Sequence, residues 1–268
     1  MKHLLGILAL SLLLTGCKNE NQEDREESQA EVEQATEIDE KNNASADINI
    51  QPVSHATAVI NWGEAVFYLD PVGGAIAFEG KEKPDFILIT DIHGDHLNAE
   101  TLQALDLEGV HIIVPQAVKE ELPEEMDDIL RTLDNGGTTR VLDFYIEAIP
   151  MYNLPEDDPE SRHKKGRGNG YLIEKDGQRL YISGDTEDIP EMRALKDIDM
   201  ALVSMNLPYT MSVEQAADAV LAFKPKQVYP YHYRGQDGLA DVDKFKSLVD
   251  EGNEEIEVIQ LDWYPERD

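Results

Sequence analysis

The sequence predicts a layered α/β or α+β domain over residues 48–268 of a 268-residue chain. Three observations carry that prediction. Apolar runs of strand length, rich in Val, Ile, Tyr and Phe, alternate with segments of helical period. The runs end at Gly, Pro or Asp, which punctuate strands. No internal repeat and no long linker interrupts them. Strands are expected at 57–60, 65–69, 86–90, 111–114, 144–149, 170–174, 179–183, 200–203, 227–231 and 256–261. Helices are expected at 99–105, 115–132, 190–196, 213–223 and 241–250. Ser212 stands three residues before Gln215 in "SVEQAADAVLAF", a capping-box spacing that opens the 213–223 helix, and Pro225 closes it. Pro123 splits 115–132 in two.

Before this domain the composition changes. "MKHLLGILALSLLLTGC" (1–17) has one lysine and then an apolar run from Leu4 to Leu14. That run is shorter than the roughly 20 residues a membrane-spanning helix needs, and fits the apolar region of a secretory signal. The ending "LTGC" resembles the lipobox of bacterial lipoprotein precursors. The resemblance implies cleavage before Cys17, acylation of its thiol, and a chain exported and lipid-anchored to a bacterial membrane. Cys17 is the sole cysteine, so no disulfide forms within the chain. Residues 18–47 hold 11 acidic and 3 basic side chains and no aromatic. Such a segment buries too little apolar surface to offset chain entropy and reads as an acidic, disordered tether.

The formal net charge is −32; the signal carries +1 and the tether −8, which leaves −25 on residues 48–268. An acidic surface repels phosphate backbones, which argues against nucleic acid as a partner, and it concentrates cations.

One loop crowds together four potential metal ligands, or is a polar loop that happens to be rich in Asp and His. In "ILITDIHGDHLN" (87–98) a buried-strand pattern runs into Asp91, His93, Asp95 and His96, and a helix begins near Asn98. Gly94 lets the backbone fold tightly there. Imidazole nitrogen and carboxylate oxygen together suit zinc, manganese or ferrous iron. Three later stretches each put a further candidate at a strand end: His163 in "SRHKKGRGNGYLIE", Asp185 in "RLYISGDTEDIPEM" and His232 in "KQVYPYHYRG". Taken singly these are a surface His, a turn Asp and a satisfied His; taken together they are expected to converge as ligands on one edge of a sheet.

In this order the stretches resemble the metallo-β-lactamase superfamily, whose first motif is usually His-x-His-x-Asp-His. Within it the chain is most similar to the ascorbate-phosphate lactonase-like metal-dependent hydrolases. The matching segments are "YLDPV" (68–72), "TDIHGDH" (90–96), "IPMYNL" (149–154), "HKKGRGNGYLIE" (163–174), "YISGDTEDIPEM" (181–192) and "YPYHY" (229–233). The resemblance implies a four-layer αβ/βα sandwich with metal at one edge. It implies one ion on His93 and His163, with Asp91 as a further donor. The other ion falls to Asp95, His96 and His232, and Asp185 bridges the two. Asp91 stands where that family usually has histidine, which leaves both the ligation by Asp91 and the number of ions, one or two, open.

The expected activity is hydrolysis of a small ester, lactone or phosphoester. A bound divalent ion lowers the pKa of water from 15.7 towards about 7 and so provides hydroxide at neutral pH. Asp95 and Asp185 are the expected catalytic carboxylates, with Asp95 orienting the nucleophile and passing a proton to the leaving group. Tyr209, Tyr171 and Tyr233 are either oxyanion donors or packed aromatics. Lys164, Lys165 and Arg167 gather basic charge beside His163, which suits an anionic substrate or a merely solvated loop. Asp70 either orients a ligating histidine or ends a strand. His55 lies either at the site or in a structural turn, and His111 reads as a strand-edge residue. A phosphodiesterase acting on phospholipid or nucleic acid, or a non-catalytic metal-binding lipoprotein, are the competing classes.

Overall fold

The computed structural model describes residues 48–265. The signal with Cys17 and the tether over 18–47 lie outside the described residues. Two mixed sheets dominate. The first runs in the order β1 (Ile48–Ser54), β2 (Thr57–Trp62), β3 (Ala65–Leu69), β4 (Phe86–Leu88), β5 (His111–Val114), β6 (Leu130–Thr132). The second runs β15 (Glu257–Val258), β12 (Gln227–Tyr231), β11 (Met200–Ser204), β10 (Gln178–Ile182), β9 (Gly168–Lys175), β8 (Phe144–Met151), β7 (Thr138–Val141). A small hairpin, β13 (Arg234–Gly235) with β14 (Gly238–Leu239), follows β12.

Strands joined by tight hairpins pair antiparallel and those joined by longer crossovers pair parallel, except that β8 and β9 pair antiparallel across the long 152–167 loop. The β9–β10 turn shows the local cause. Asp176 and Gly177 both take positive φ (51° and 75°), as a two-residue hairpin of primed type requires.

Alternation along the strands builds the layers. Ala58, Ile60, Phe67, Leu69, Phe86 and Leu88 of the first sheet join Phe144, Ile146, Ala148 and Ile173 of the second in one core. Their neighbours Val59, Val66, Tyr68, Ile87 and Ile112 face the other way. There they meet Leu102 of α1 (Ala99–Ala104) and Val118 of α2 (Gln116–Glu121). A short α3 (Pro190–Arg193) precedes α4 (Val213–Phe223) and α5 (Val242–Gly252), which cover the far side of the second sheet, where Phe223 meets Tyr181 edge-on at 6.0 Å. The outcome is helices, sheet, sheet, helices: the four-layer sandwich expected. Among the described residues no helix is long and apolar enough to cross a membrane.

Several elements differ from the sequence reading: β7 and the β13–β14 hairpin were not expected, and the 190–196 helix ends at Arg193. The segment 115–132 is α2, then a 3-10 turn over Glu124–Ile129, then β6. Pro123 holds the preceding Leu122 extended (ψ 150°), and Leu130–Thr132 pairs in parallel with β5. The edge strand β1 was not expected, because Pro52 interrupts its alternation; an edge position tolerates the missing N–H. The 256–261 strand shrinks to Glu257–Val258, since only those residues pair with β12.

Phe67 stacks on Phe86 with ring centroids 4.7 Å apart, and Phe144 meets both. Phe67→Ala is expected to cost about 3–5 kcal/mol in urea unfolding, because the cavity opens where two sheets face each other. Ile76→Ala, at a side chain 79% exposed, should change stability by no more than about 0.5 kcal/mol.

Candidate metal centre

The candidate ligands lie just beyond the C-terminal ends of strands, on one edge of the sandwich. Asp70 follows β3, the Asp91–His96 turn follows β4, Asp185 follows β10 and His232 follows β12. His163 sits in the loop between β8 and β9. The turn is closed by His96 and Leu97 N–H groups, both donating to the His93 carbonyl at 2.9 Å. α1 then begins on Asn98, whose side chain accepts the Thr101 N–H at 2.7 Å.

Contacts between the sheets hold this turn in place. The Asn169 N–H donates to the Thr90 carbonyl at 2.9 Å, and the Tyr171 hydroxyl donates to the Ile89 carbonyl at 2.7 Å. Tyr171 is fully buried and its hydroxyl is engaged in this contact between the sheets. Gly168 fits between these segments only without a side chain, because a Cβ would lie 2.8 Å from the Thr90 carbonyl oxygen.

His96 is oriented by a buried network. Its Nδ1–H donates to Asp70 Oδ2 at 2.8 Å and lies 2.9 Å from the Thr90 hydroxyl. Asp70 also accepts the Thr90 N–H at 2.7 Å and the Thr90 O–H at 2.6 Å. Asp70 therefore fixes the His96 tautomer and leaves the Nε2 lone pair pointing inward. There it meets His232 Nε2 at 3.0 Å and Asp185 Oδ2 at 3.4 Å.

Asp185 lies at the middle. Its Oδ1 is 3.2 Å from His232 Nε2 and its Oδ2 is 3.2 Å from His163 Nε2. Gly184, at φ 61°, turns the chain into Asp185; its N–H donates to the Tyr231 hydroxyl at 3.0 Å. His163 is held from behind. Its Nδ1–H donates to the Tyr209 carbonyl at 3.2 Å, and Asn153 accepts its backbone N–H at 2.8 Å. His232, at φ 49°, has the Asn206 carboxamide 3.2 Å from Nδ1. A half-turn of that amide, which exchanges its oxygen and nitrogen in place, makes it the acceptor that a ligating His232 needs.

The charges follow. Burial pushes the Asp185 carboxyl up, but His232, His96 and His163 outweigh it and hold the group well below the usual carboxylate range. Burial lowers His96, and Asp185 with Asp70 more than reverse that, so its imidazole is held well above its usual value. Asp95 behaves like Asp185: desolvation raises it, and hydrogen bonds from His232 and His55 pull it far down. A field that favours an imidazolium here also favours a metal cation.

The donors fit such an ion. Three groups of side chains can each offer ligand atoms within 4.8 Å of one another: Asp91 with His93 and His163; His96 with Asp185 and His232; His55 with Asp95 and His232. His163 Nε2 and Asp185 Oδ1 are buried without a hydrogen-bond partner. Unpartnered buried nitrogen and oxygen are costly unless something outside the chain meets them. A divalent ion does so, and mixed N/O donors suit zinc or manganese.

Other expected site residues are placed differently. Asp91 is fully buried, 2.6 Å from His93 Nδ1, and is gripped by Arg167 through Nε (3.1 Å) and Nη2 (3.0 Å). Arg167 thus already meets a protein carboxylate. Lys165 is likewise drawn off, to Glu191 at 2.8 Å and Glu156 at 3.2 Å. Lys164 is exposed. Tyr209 serves His163 through its backbone, while its ring carries the Arg162 guanidinium at 4.7 Å. Tyr233 packs edge-on to Tyr264 at 4.8 Å.

The sequence reading left His55 undecided and missed its partners. In the β1–β2 turn, His55 lies 3.2 Å from Asp95 through Nε2 and 2.7 Å from the Tyr264 hydroxyl through Nδ1. The one available signal was a histidine between two strand patterns. Thr90, Asn153, Asn206 and Tyr264 carry no spacing that announces them.

Residues 49–232 match the model of the β-lactamase superfamily domain. A metal-dependent hydrolase of Thermococcus onnurineus is 33% identical over 64% of this chain and 77% of its own length. The crystal structure of a Parabacteroides distasonis protein described as a metal-dependent hydrolase is similar at 35% identity and a TM-score of 0.70, covering 80% of this chain and 93% of that one. Igni18, a metallo hydrolase of Ignicoccus hospitalis, shares the fold at 22% identity and a TM-score of 0.66, over 80% and 94% of the two chains. The chain belongs to the β-lactamase superfamily, among its metal-dependent hydrolases.

Proposed function

We propose that this chain hydrolyses a small ester, lactone or phosphoester with one or two divalent ions, zinc or manganese, held by the side chains just described. The observation that carries the reading is the convergence on Asp185. Three imidazole Nε2 atoms lie 3.2–3.4 Å from its two oxygens, and one of them has no other partner. His96, Asp185, His232 and Asp95 would hold one ion, and His93, His163 and Asp185 the other. A bound ion there supplies Lewis acidity and a water of lowered pKa.

The chain's own groups divide the remaining work. Asp95 is the carboxylate that reaches solvent, with its side chain 40% exposed against 4% for Asp185. It is therefore placed to orient a nucleophile and hand a proton to a leaving group. His55 and His232 contact it and hold it anionic. Asp70 keeps His96 in its ligating tautomer. The case for an anionic substrate narrows to Lys164 and Arg162, because Arg167 and Lys165 are engaged within the chain. Export and anchoring through an acylated Cys17 belong to the same proposal and rest on the N-terminal sequence.

Metal analysis and a panel of lactones, carboxylic esters, phosphomonoesters and phosphodiesters test the activity. Turnover on one class that a chelator abolishes and zinc or manganese restores is the expected result. Bound metal with no turnover on any class would favour a non-catalytic lipoprotein. Asp185→Asn should remove turnover and at least one ion per chain. Asp70→Asn should leave the fold intact and weaken the affinity of the His96 position by about 10–100-fold. For the anchor, Cys17→Ala should shift the chain from the detergent-rich to the aqueous phase in a detergent partition; an unchanged distribution rules the anchor out.

A further inference from the structure

The two halves of the centre differ in one respect that their ligands do not reveal. At the His96–His232 half, Asp95 and Asp185 contact only histidines among the described ion pairs. Both negative charges are available to a cation. At the other half, Asp91 is already paired. The Arg167 fork takes both of its oxygens at 3.0–3.1 Å, and Oδ2 also lies 2.6 Å from His93 Nδ1.

A carboxylate has about four lone-pair sites. Arg167 and His93 between them use three, including both on Oδ2, the oxygen nearer to His163 Nε2 at 3.9 Å. His93 Nδ1 is spent in the same contact. The guanidinium, always charged, cancels the one carboxylate that this half does not share. A second cation would meet His163, the far nitrogen of His93 and a share of Asp185, with Arg167 close by and of like sign.

We propose that Arg167 makes the two metal positions unequal: an ion loads first at Asp95, His96, Asp185 and His232, and the Asp91 half takes a second ion only weakly. Arg167 is then a positioning residue that acts through Asp91 and sets how many ions the centre holds at a given metal concentration. This inference rests on the metal-dependent reading above.

The test needs no substrate. Metal-stripped full chain is titrated with zinc, and separately with manganese, against a chelating indicator, with native mass spectrometry to count ions. The wild type is expected to bind one ion, then a second at least about tenfold more weakly, as outer-shell contacts of this kind commonly produce. Arg167→Met frees Asp91 and should tighten the second step by about tenfold while moving the first by less than about threefold. Arg167→Lys, which keeps the charge without the fork, should fall between them. Circular dichroism checks folding, and if Arg167→Met misfolds the wild-type ratio and Arg167→Lys decide. Two ions of equal affinity in the wild type, or a ratio unmoved in the folded variants, overturn the inference and leave the hydrolase reading intact. No bound ion at all overturns that reading itself.

Discussion

Everything at the functional edge depends on the Asp185 carboxylate lying among three imidazoles. Hydrogen bonds on the outer nitrogens of His96 and His163 leave the inner ones with lone pairs, and those lone pairs face anionic oxygen. Such an arrangement is repulsive and desolvated unless positive charge enters it. Protons can supply that charge, and the raised imidazole of His96 shows the tendency. A divalent ion supplies it with better geometry, because His96 Nε2 and His232 Nε2, 3.0 Å apart, are spaced as neighbouring ligands on one ion would be.

The fold keeps this arrangement by spending conformational strain and cross-sheet bonds on it. Asp70 and His232 are non-glycine residues at positive φ (44° and 49°), and His55 is a third (55°). Each such residue costs on the order of 1–3 kcal/mol and persists only where its surroundings over-determine it. The surroundings here are specific. Thr57 donates to the Asp70 carbonyl at 2.6 Å, Tyr264 contacts His55, and Asn206 meets His232. Because ligands come from both sheets, the spacing between sheets sets the spacing of the ligands. Tyr171 and Asn169, reaching across to Ile89 and Thr90, fix that spacing within a few residues of the metal motif.

Much of this was legible in the sequence, for reasons that separate the parts. Strands such as 65–69 and 200–203 announce themselves because both faces are largely buried, so the apolar run is unbroken. Asp91–His96, His163, Asp185 and His232 stood out because their chemistry is concentrated at strand ends. What stayed hidden depends on pairing in space. Leu130–Thr132 is a strand only because β5 offers it an edge, and nothing local distinguishes it from the end of a helix. Arg167 looked like a substrate contact because its charge is visible in sequence, whereas Asp91, 76 residues away, is found beside it only in the fold. His55 belongs to the site through a contact with Asp95, 40 positions later.

Exposure gives the centre a direction. His96, His163 and His232 are sealed, with no side-chain surface, and Asp185 is nearly so. Asp95 is 40% exposed, His93 24% and His55 20%. A ligand from solvent therefore reaches the donors from the side of the Asp91–His96 turn and the β1–β2 turn. On that approach it meets Asp95 before any sealed histidine. A carboxylate at the mouth of an acidic domain repels an anion, so an anionic substrate gains entry only after bound cations have offset Asp95 and Asp185. Under the proposed metal-dependent reading, loading would do more than supply a Lewis acid: it would set the sign of the field that an arriving substrate feels. A centre holding one ion would present a less positive mouth than one holding two, so Arg167, half-buried beside Asp91, would influence which charge of substrate is admitted through the number of ions it allows.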